Sequence, residues 1–170
     1  NGTFTMKGGT ITKNKASRRG GGIGMNGTYG TSVTIEGGEI SYNEAVGVLI
    51  TDKENSSFGT YGAFGGAIAL NLGTLTISGG KIIGNTSRHN AGAINQDNGT
   101  FVMTGGEITG NTAKSNAGGV YLNRSTFTMK GGKISGNIAE SYEYENAEGV
   151  TKSSGGNGGG MHINRGHFVF

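Results

Sequence analysis

The chain has 170 residues with 37 glycines, no proline and no cysteine, and its formal charge is +3 at pH 7. This glycine content excludes an ordinary helical domain, because each interior glycine costs about 1 kcal/mol of helix stability, and the lack of proline and of a three-residue period excludes collagen. A disulfide framework and a thiolate metal site are excluded as well, and no apolar run approaches the length of a membrane-spanning helix.

An internal repeat dominates the sequence. A Gly-Gly pair recurs at intervals of 29, 42, 26 and 26 residues, beginning at Gly8, Gly37, Gly79, Gly105 and Gly131. The basic unit is therefore 26 residues long, and two units are lengthened by insertions, which we place at 44–64 and 138–158.

Three stretches with a period of two residues occur in each unit, in the same order. The first precedes the Gly-Gly pair (3–6, 32–35, 74–77, 100–103 and 126–129, with 167–170 as a sixth copy), the second follows it (11–14, 40–43, 82–85, 108–111 and 134–137), and the third closes the unit (21–26, 66–71, 92–97, 118–123 and 159–164). This alternation predicts short strands with one apolar face. One unit cannot bury that face alone, whereas stacked units can.

The repeat predicts an all-β fold, a single-stranded parallel β-helix (β-solenoid) of about five coils of ~26 residues. Three separate sheets would be joined at glycine-rich corners, since glycine tolerates a positive φ, and equivalent residues would stack at the ~4.8 Å spacing of paired strands. We expect residues 1–170 to form one such domain. Gln96 is the exception in the apolar pattern and would place a polar side chain in the core.

Two polar rows favour this stacking. Asn14, Asn43, Asn85, Asn111 and Asn137 occupy one equivalent position, and Asn26, Asn71, Asp97, Asn123 and Asn164 occupy another. Asparagine amides can bond to the same residue in the units above and below, so we expect the first row to form a structural ladder.

The segments GGAI (65–68), AGAI (91–94) and GGVYLN (118–123), alternating with GTFTM and KGG, resemble the right-handed β-helix repeats of large bacterial cell-surface proteins. GGAI is also similar to one half of the repeat of polymorphic outer-membrane proteins. Right-handedness is what the resemblance implies, in agreement with the general chirality of parallel crossovers. The resemblance further implies a secreted, elongated stalk or adhesin, outside the cell or on its surface.

The predicted function is structural and not enzymatic: a stiff stalk or fibre-forming subunit, cut from a longer protein. Neither end shows a capping element, so head-to-tail self-association through open sheet edges is expected. No cofactor, no metal, no catalytic residue, no nucleic acid and no direct membrane insertion of this segment are predicted.

The insertions suggest an alternative function, an adhesin that binds a host protein or a glycan. Insertions in repeat proteins usually map to one face, often the binding face, and these two are rich in aromatic and acidic residues. The candidate binding residues are Phe58, Tyr61, Tyr142, Glu143, Tyr144 and Glu145.

Two further functions are less favoured. Outward threonine rows with the spacing of a sheet resemble ice-binding arrays, but Thr is also simply a good exposed strand residue. A polysaccharide-processing enzyme would need clustered carboxylates, whereas Glu39 and Glu107 stand in one column with Lys81 between them.

Overall fold

The structure, a computed structural model, describes residues 2–27, 30–52, 57–145 and 148–170, and for residues 48–52, 57–61, 144 and 145 it describes the backbone. These residues form strands and turns without a helix. The described part consequently contains no helical segment that is long and apolar enough to cross a membrane.

The strands, in chain order, are β1 (Thr3–Met6), β2 (Thr10–Thr12), β3 (Lys15–Ala16), β4 (Ile23–Asn26), β5 (Ser32–Ile35), β6 (Glu39–Ser41), β7 (Glu44–Ala45), β8 (Val48–Asp52), β9 (Ser57–Tyr61), β10 (Ile68–Ile77), β11 (Lys81–Ile83), β12 (Thr86–Ser87), β13 (Ile94–Thr109), β14 (Thr112–Ala113), β15 (Val120–Asn123), β16 (Thr126–Ser135), β17 (Ile138–Ala139), β18 (Ser141–Glu145), β19 (Thr151–Gly155), β20 (Met161–Asn164) and β21 (His167–Val169).

Twelve strands form one large parallel sheet, a half-barrel. Its longest path runs β1-β5-β10-β13-β11-β6-β2, and β4, β15, β16, β20 and β21 pair beside this path. A second parallel sheet has the order β17-β14-β12-β7-β3. Two antiparallel hairpins, β8–β9 and β18–β19, stand apart from both sheets.

The predicted fold class, a single-stranded right-handed parallel β-helix of about five coils with three separate sheets, is wrong. The three predicted stretches share one 12-stranded sheet, because β13 runs unbroken from the third stretch through the first into the second. Pairing continues through the predicted corners: Gly73 pairs with Gly99, and a side chain at Gly99 would meet the Gly73 carbonyl oxygen at 2.3 Å. Glycine there permits a close backbone approach and a bend within the sheet, rather than a break between sheets.

The bends also use fewer glycines than predicted. Leu72, Asn98, Arg124 and Arg165, which occupy one bend in four successive repeats, all have a positive φ between 49° and 62°. Such values are uncommon for residues other than glycine. The glycine content therefore reflects close packing of backbones as well as left-handed turns.

The register between repeats is uniform apart from one irregularity between β13 and β16, where Thr104 pairs with Gly131. In the first stretch Phe4 pairs with Val33, Leu75 with Phe101, and Phe127 with Phe168. The outward threonine rows are in register too, from Thr3 and Thr5 of β1 onward. Equivalent side chains consequently lie over one another from β1 to β21.

The apolar core lies on the inner face of the large sheet. Phe101 and Phe127 are fully buried, and their rings stack in parallel with centroids 4.3 Å apart. The second stretch contributes Ile40, Ile82 and Ile108, which are also inaccessible to solvent. Burying a side chain of this size contributes about 1.5–3 kcal/mol, so stacked repeats supply the stability that one repeat lacks.

Gln96 does lie in this core, between Leu70 and Leu122 of the adjacent strands, and it is fully buried. Its Nε2 lies 3.5 Å from the Gly73 carbonyl oxygen, while its Oε1 is buried and has no hydrogen-bond partner among the described residues. A buried polar atom without a partner is destabilising.

Candidate functional site

The hairpin β18–β19 lies within the second insertion and projects from the five-stranded sheet. Its strands pair Tyr142 with Ser154 and Glu143 with Ser153, and the register continues through Tyr144 and Glu145. Residues 151–154 of the returning strand are exposed. The segment therefore carries polar side chains away from the core.

Both ends of this hairpin are fixed to the neighbouring repeat. Before it, the Glu140 N–H donates to the Ala113 carbonyl oxygen at 2.8 Å, and the Glu140 carboxylate forms an ion pair with Lys114. After it, the Gly156 N–H donates to the Ser115 carbonyl oxygen at 2.9 Å. The insertion thus leaves and re-enters the sheet without altering the register.

The structure describes the side chains of two of the six predicted binding residues. Tyr142 is 37% exposed and Glu143 is also exposed. The side chains of Phe58, Tyr61, Tyr144 and Glu145 lie outside the described part of the structure. At the backbone level, Phe58 and Tyr61 belong to β9, which pairs with β8 in the first insertion.

The first asparagine row forms a continuous set of hydrogen bonds. In each step the side-chain oxygen of one asparagine accepts two N–H bonds from the asparagine before it, one from the backbone and one from the amide, at 2.9–3.0 Å; the members are Asn14, Asn43, Asn85, Asn111 and Asn137. The amide of Asn85 also donates to the Ile40 carbonyl oxygen at 2.9 Å. Asn43, Asn85 and Asn111 are fully buried, so these bonds satisfy polar atoms that water does not reach.

A further asparagine row was not predicted. Asn116 donates to the side-chain oxygen of Asn90 from both its backbone and its amide, and Asn157 does the same to Asn116. Each of these asparagines precedes an Ala-Gly or Gly-Gly pair, which is the sequence signal that could have identified the row. Arg19 and Phe64 occupy its place in the first two repeats, where they pair as isolated bridges.

The second predicted row is paired in backbone register but only partly in its side chains. Asn123 donates to the Asp97 carboxylate at 3.1 Å, and Asn164 lies 3.4 Å from the Asn123 side-chain oxygen. Within the described residues, the amides of Asn26 and Asn71 form no side-chain hydrogen bond. In the first two repeats, therefore, the side chains of this row are not bonded to one another, whereas those of the first row are. We call the first row closed and this row open.

The charged groups that catalysis would require are dispersed. Glu39 and Glu107 pair with Lys81 from opposite sides, so two strand spacings, about 9.6 Å, separate their backbones. Ion pairs occur elsewhere, for example between Lys15 and Glu44 at 3.1 Å. In the described ranges no group of three or more His, Asp or Glu side chains is placed to hold a metal ion.

One histidine has a perturbed environment. His89 contacts the Phe64 ring edge-on, with centroids 5.3 Å apart, and its Nδ1 is buried with no hydrogen-bond partner in the described part of the chain. Burial lowers the pKa of His89 from its ordinary value, because desolvation disfavours the charged imidazolium.

No family model, no curated protein and no solved structure matches the chain.

Proposed function

We propose that the chain is a non-catalytic structural module of an extracellular bacterial surface protein, a stiff stack of repeats that spaces or displays other segments. The observation that carries this proposal is the continuous asparagine row from Asn14 to Asn137, whose three central members are fully buried. The cell-surface location rests on the resemblance of the repeats.

Stiffness follows from redundant contacts between neighbouring repeats. Strand pairing, the Asn111–Asn137 hydrogen bonds and the stacked Phe101 and Phe127 rings all join the same two repeats. A polar network that is fully satisfied specifies one arrangement, since any shift would leave buried donors and acceptors without partners. Repeats held in this way resist bending relative to one another.

The proposal includes head-to-tail association of copies. At the β20–β21 end, apolar side chains are exposed: Ile163 at 39%, Val169 at 52% and Ile138 at 55%. At the opposite end Phe4, Ile11 and Met25 are only partly buried. Open edges with apolar side chains pair readily with another chain. The β20–β21 end of one copy could therefore pair with the opposite end of a second copy.

Sedimentation and electron microscopy of the purified chain test this association. We expect rods that lengthen with protein concentration, and we expect Ile163→Lys with Val169→Lys to reduce them to monomers. Thr76→Lys, which places one lysine in the middle of the outward face, is the control and should leave the rods intact. Monomers at all concentrations would refute the fibre-forming part of the proposal.

A second candidate function is adhesion through β18–β19, supported by the exposed polar strand at 151–154 and by the firm attachment of both hairpin ends. Loops on a rigid scaffold commonly carry binding residues. The ligand would be a host protein or a glycan.

The chain offers a matched deletion for this test. Residues 140–156 join Ala139 to Asn157, while Lys114-Ser115 alone joins the equivalent Ala113 to Asn116. Replacing 140–156 by Lys-Ser should preserve the fold by circular dichroism and abolish binding on protein and glycan arrays. Replacing 46–63 by Arg-His, the connection that Arg88-His89 makes, separates the contribution of the first hairpin. Array binding that survives both replacements would refute adhesion through the hairpins.

A further inference from the structure

A polar slot lies on the outer face of the large sheet. It has a volume of about 530 Å³ and is lined by Arg18, Arg19, Gly24, Met25, Asn26, Ala69 and Asn71. The slot exists because the outward residues of β4 and β10 are small, Gly24 and Ala69, whereas the equivalent residues of β15 and β20 are Tyr121 and His162. We call this the basic slot.

The amides in the basic slot have unused hydrogen-bonding capacity. Asn26 is exposed and Asn71 half-buried, and neither side chain bonds to another described residue, although both stand in the same row as the bonded Asp97 and Asn123. Each amide offers two donors and an acceptor. Two such amides one strand spacing apart suit a ligand with regularly spaced hydroxyl groups.

The two arginines of the slot differ in their contacts. The guanidinium of Arg19 lies 5.1 Å from the centroid of the Phe64 ring, and its Nη1 is 3.7 Å from the Asp97 carboxylate. These contacts fix its position. Arg18 is exposed and has no ion-pair partner in the described part of the chain. An exposed guanidinium group can bind a carboxylate with two parallel hydrogen bonds.

Two aromatic rings lie on the same face, at the positions of β15 and β20 that are equivalent to Asn95 of β13. The rings of Tyr121 and His162 stack with centroids 5.3 Å apart and an angle of 4°. Asn164 lies 3.3 Å from the Tyr121 hydroxyl. Tyr121 and His162 are both half-buried, so part of each side chain remains accessible on this face. An accessible aromatic side chain there suits the apolar C–H face of a sugar ring.

Positive charge continues across this face. Arg124 and Arg165 are exposed at the bend that ends β15 and β20. Among the third-stretch strands and the described turns next to them, Asp97 is the one carboxylate. From β4 to β20 four strand spacings cover about 19 Å, so the arginines at the two ends match an extended polyanion rather than a single ion.

We propose that the basic slot and the adjoining face bind an acidic oligosaccharide, with a carboxylate on Arg18, hydroxyl groups on Asn26 and Asn71, and a sugar ring against Tyr121. Carboxylates and hydroxyls together account for the guanidinium, the unused amides and the aromatic wall. A peptide carboxylate would leave the amide row without partners, and a neutral glycan would leave Arg18 without one.

Calorimetric titration with a tetramer of galacturonic acid, at two salt concentrations, tests this inference. We expect saturable binding, loss of binding for the methyl-esterified tetramer, and roughly tenfold weaker affinity for Arg18→Ala, since a hydrogen-bonded charged pair is removed. Asn71→Ala should weaken binding several-fold. Lys130→Ala removes the same charge from an exposed position outside the slot and should have little effect.

Several outcomes would overturn the inference. The first is binding of the methyl ester with the same affinity as the tetramer, and the second is an equal loss of affinity for Arg18→Ala and Lys130→Ala. The third is equally tight binding of an oligodeoxythymidine of the same charge, which would indicate non-specific attraction of polyanions. Absence of binding at millimolar tetramer would overturn it as well. The variant in which Lys-Ser replaces 140–156 should retain this binding, which separates the slot from adhesion through β18–β19.

Discussion

The two predicted polar rows consist mainly of asparagine and are both in register between repeats, yet their side chains differ in hydrogen bonding. In the row that includes Asn85 the three central members are fully buried and every neighbouring pair is hydrogen-bonded, while the amides of two of the five members of the row that includes Asn71 form no such bond to a described residue. The two rows differ in solvent exposure: Asn85 is inaccessible to solvent, whereas Asn26 is exposed and Asn71 is half-buried. Recurrence of asparagine in a repeat therefore does not by itself indicate a ladder, since burial decides whether the amides must bond to one another.

The largest effect is expected from breaking the closed row. Asn85→Ala removes the acceptor of the Asn43 N–H groups and the donor to the Ile40 carbonyl oxygen, so buried polar atoms lose their partners. We expect a loss of about 3 kcal/mol in the free energy of unfolding, measured in urea.

The open row provides the control. Asn71→Ala should change the free energy of unfolding by no more than about 0.5 kcal/mol, as is usual for surface substitutions. Equal losses for the two variants would contradict the distinction between a closed and an open row.

A smaller effect, a gain in the free energy of unfolding, is expected from replacing Gln96, the buried neighbour of Asp97 in the open row. Gln96→Leu removes a buried Oε1 without a partner and places an apolar side chain between Leu70 and Leu122. We expect a gain of about 1–2 kcal/mol in urea unfolding. A loss would show that the Nε2 contact with Gly73 outweighs the unpartnered oxygen. Leu122→Ala, in the same interior column, reports how tightly this part of the core is packed.

Asp97→Asn makes the open row uniform and should have a weaker effect still. It removes the ion pair with Arg19, whose side chain is 37% exposed, so a loss of about 0.5 kcal/mol is expected. The loss should shrink as salt is added, because salt screens the ion pair. A loss independent of salt would assign the stabilisation to the hydrogen bonds from Asn95 and Asn123 instead.

The smallest effect concerns pH. The pKa of His89 is lower in the folded chain than in the unfolded chain, so its neutral form contributes stability above the unfolded value near 6.5. This contribution should be lost progressively as pH falls from about 6.5 through the folded pKa. Unfolding in urea at several pH values, with His89→Gln as the comparison, measures it. An unchanged pH dependence in the variant would exclude His89 as the source.

The register and the core were predictable because they depend on period and side-chain type. Phe101 over Leu75 and under Phe127 follows from aligning the repeats. The merging of the three stretches into one sheet was not predictable from the sequence, because a Gly-Gly pair can either interrupt a strand or only bend it. The five-stranded sheet was also missed, because two-residue strands such as Thr86–Ser87 are too short to show a period.

The candidate sites were predictable to a lesser degree. The insertions are evident from the repeat spacing, which places Tyr142 and Glu143 on a projecting segment. The basic slot combines Arg18 with Asn71, which are far apart in sequence and belong to different repeats. It also depends on the absence of a side chain at Gly24. A shallow space created by small residues in one column becomes apparent only when the columns are placed side by side.

The asparagine row has a direction, and that direction makes the two ends of the stack chemically unlike. In the row from Asn14 to Asn137 every bond between asparagines runs from the lower-numbered residue to the higher, so among the described residues no asparagine donates to the side-chain oxygen of Asn14 and none accepts from the backbone N–H of Asn137. Two copies meeting through like ends would set acceptor against acceptor or donor against donor. Joined through unlike ends, they would continue the row. An assembly built on this contact would be polar, growing by addition of subunits in a single orientation.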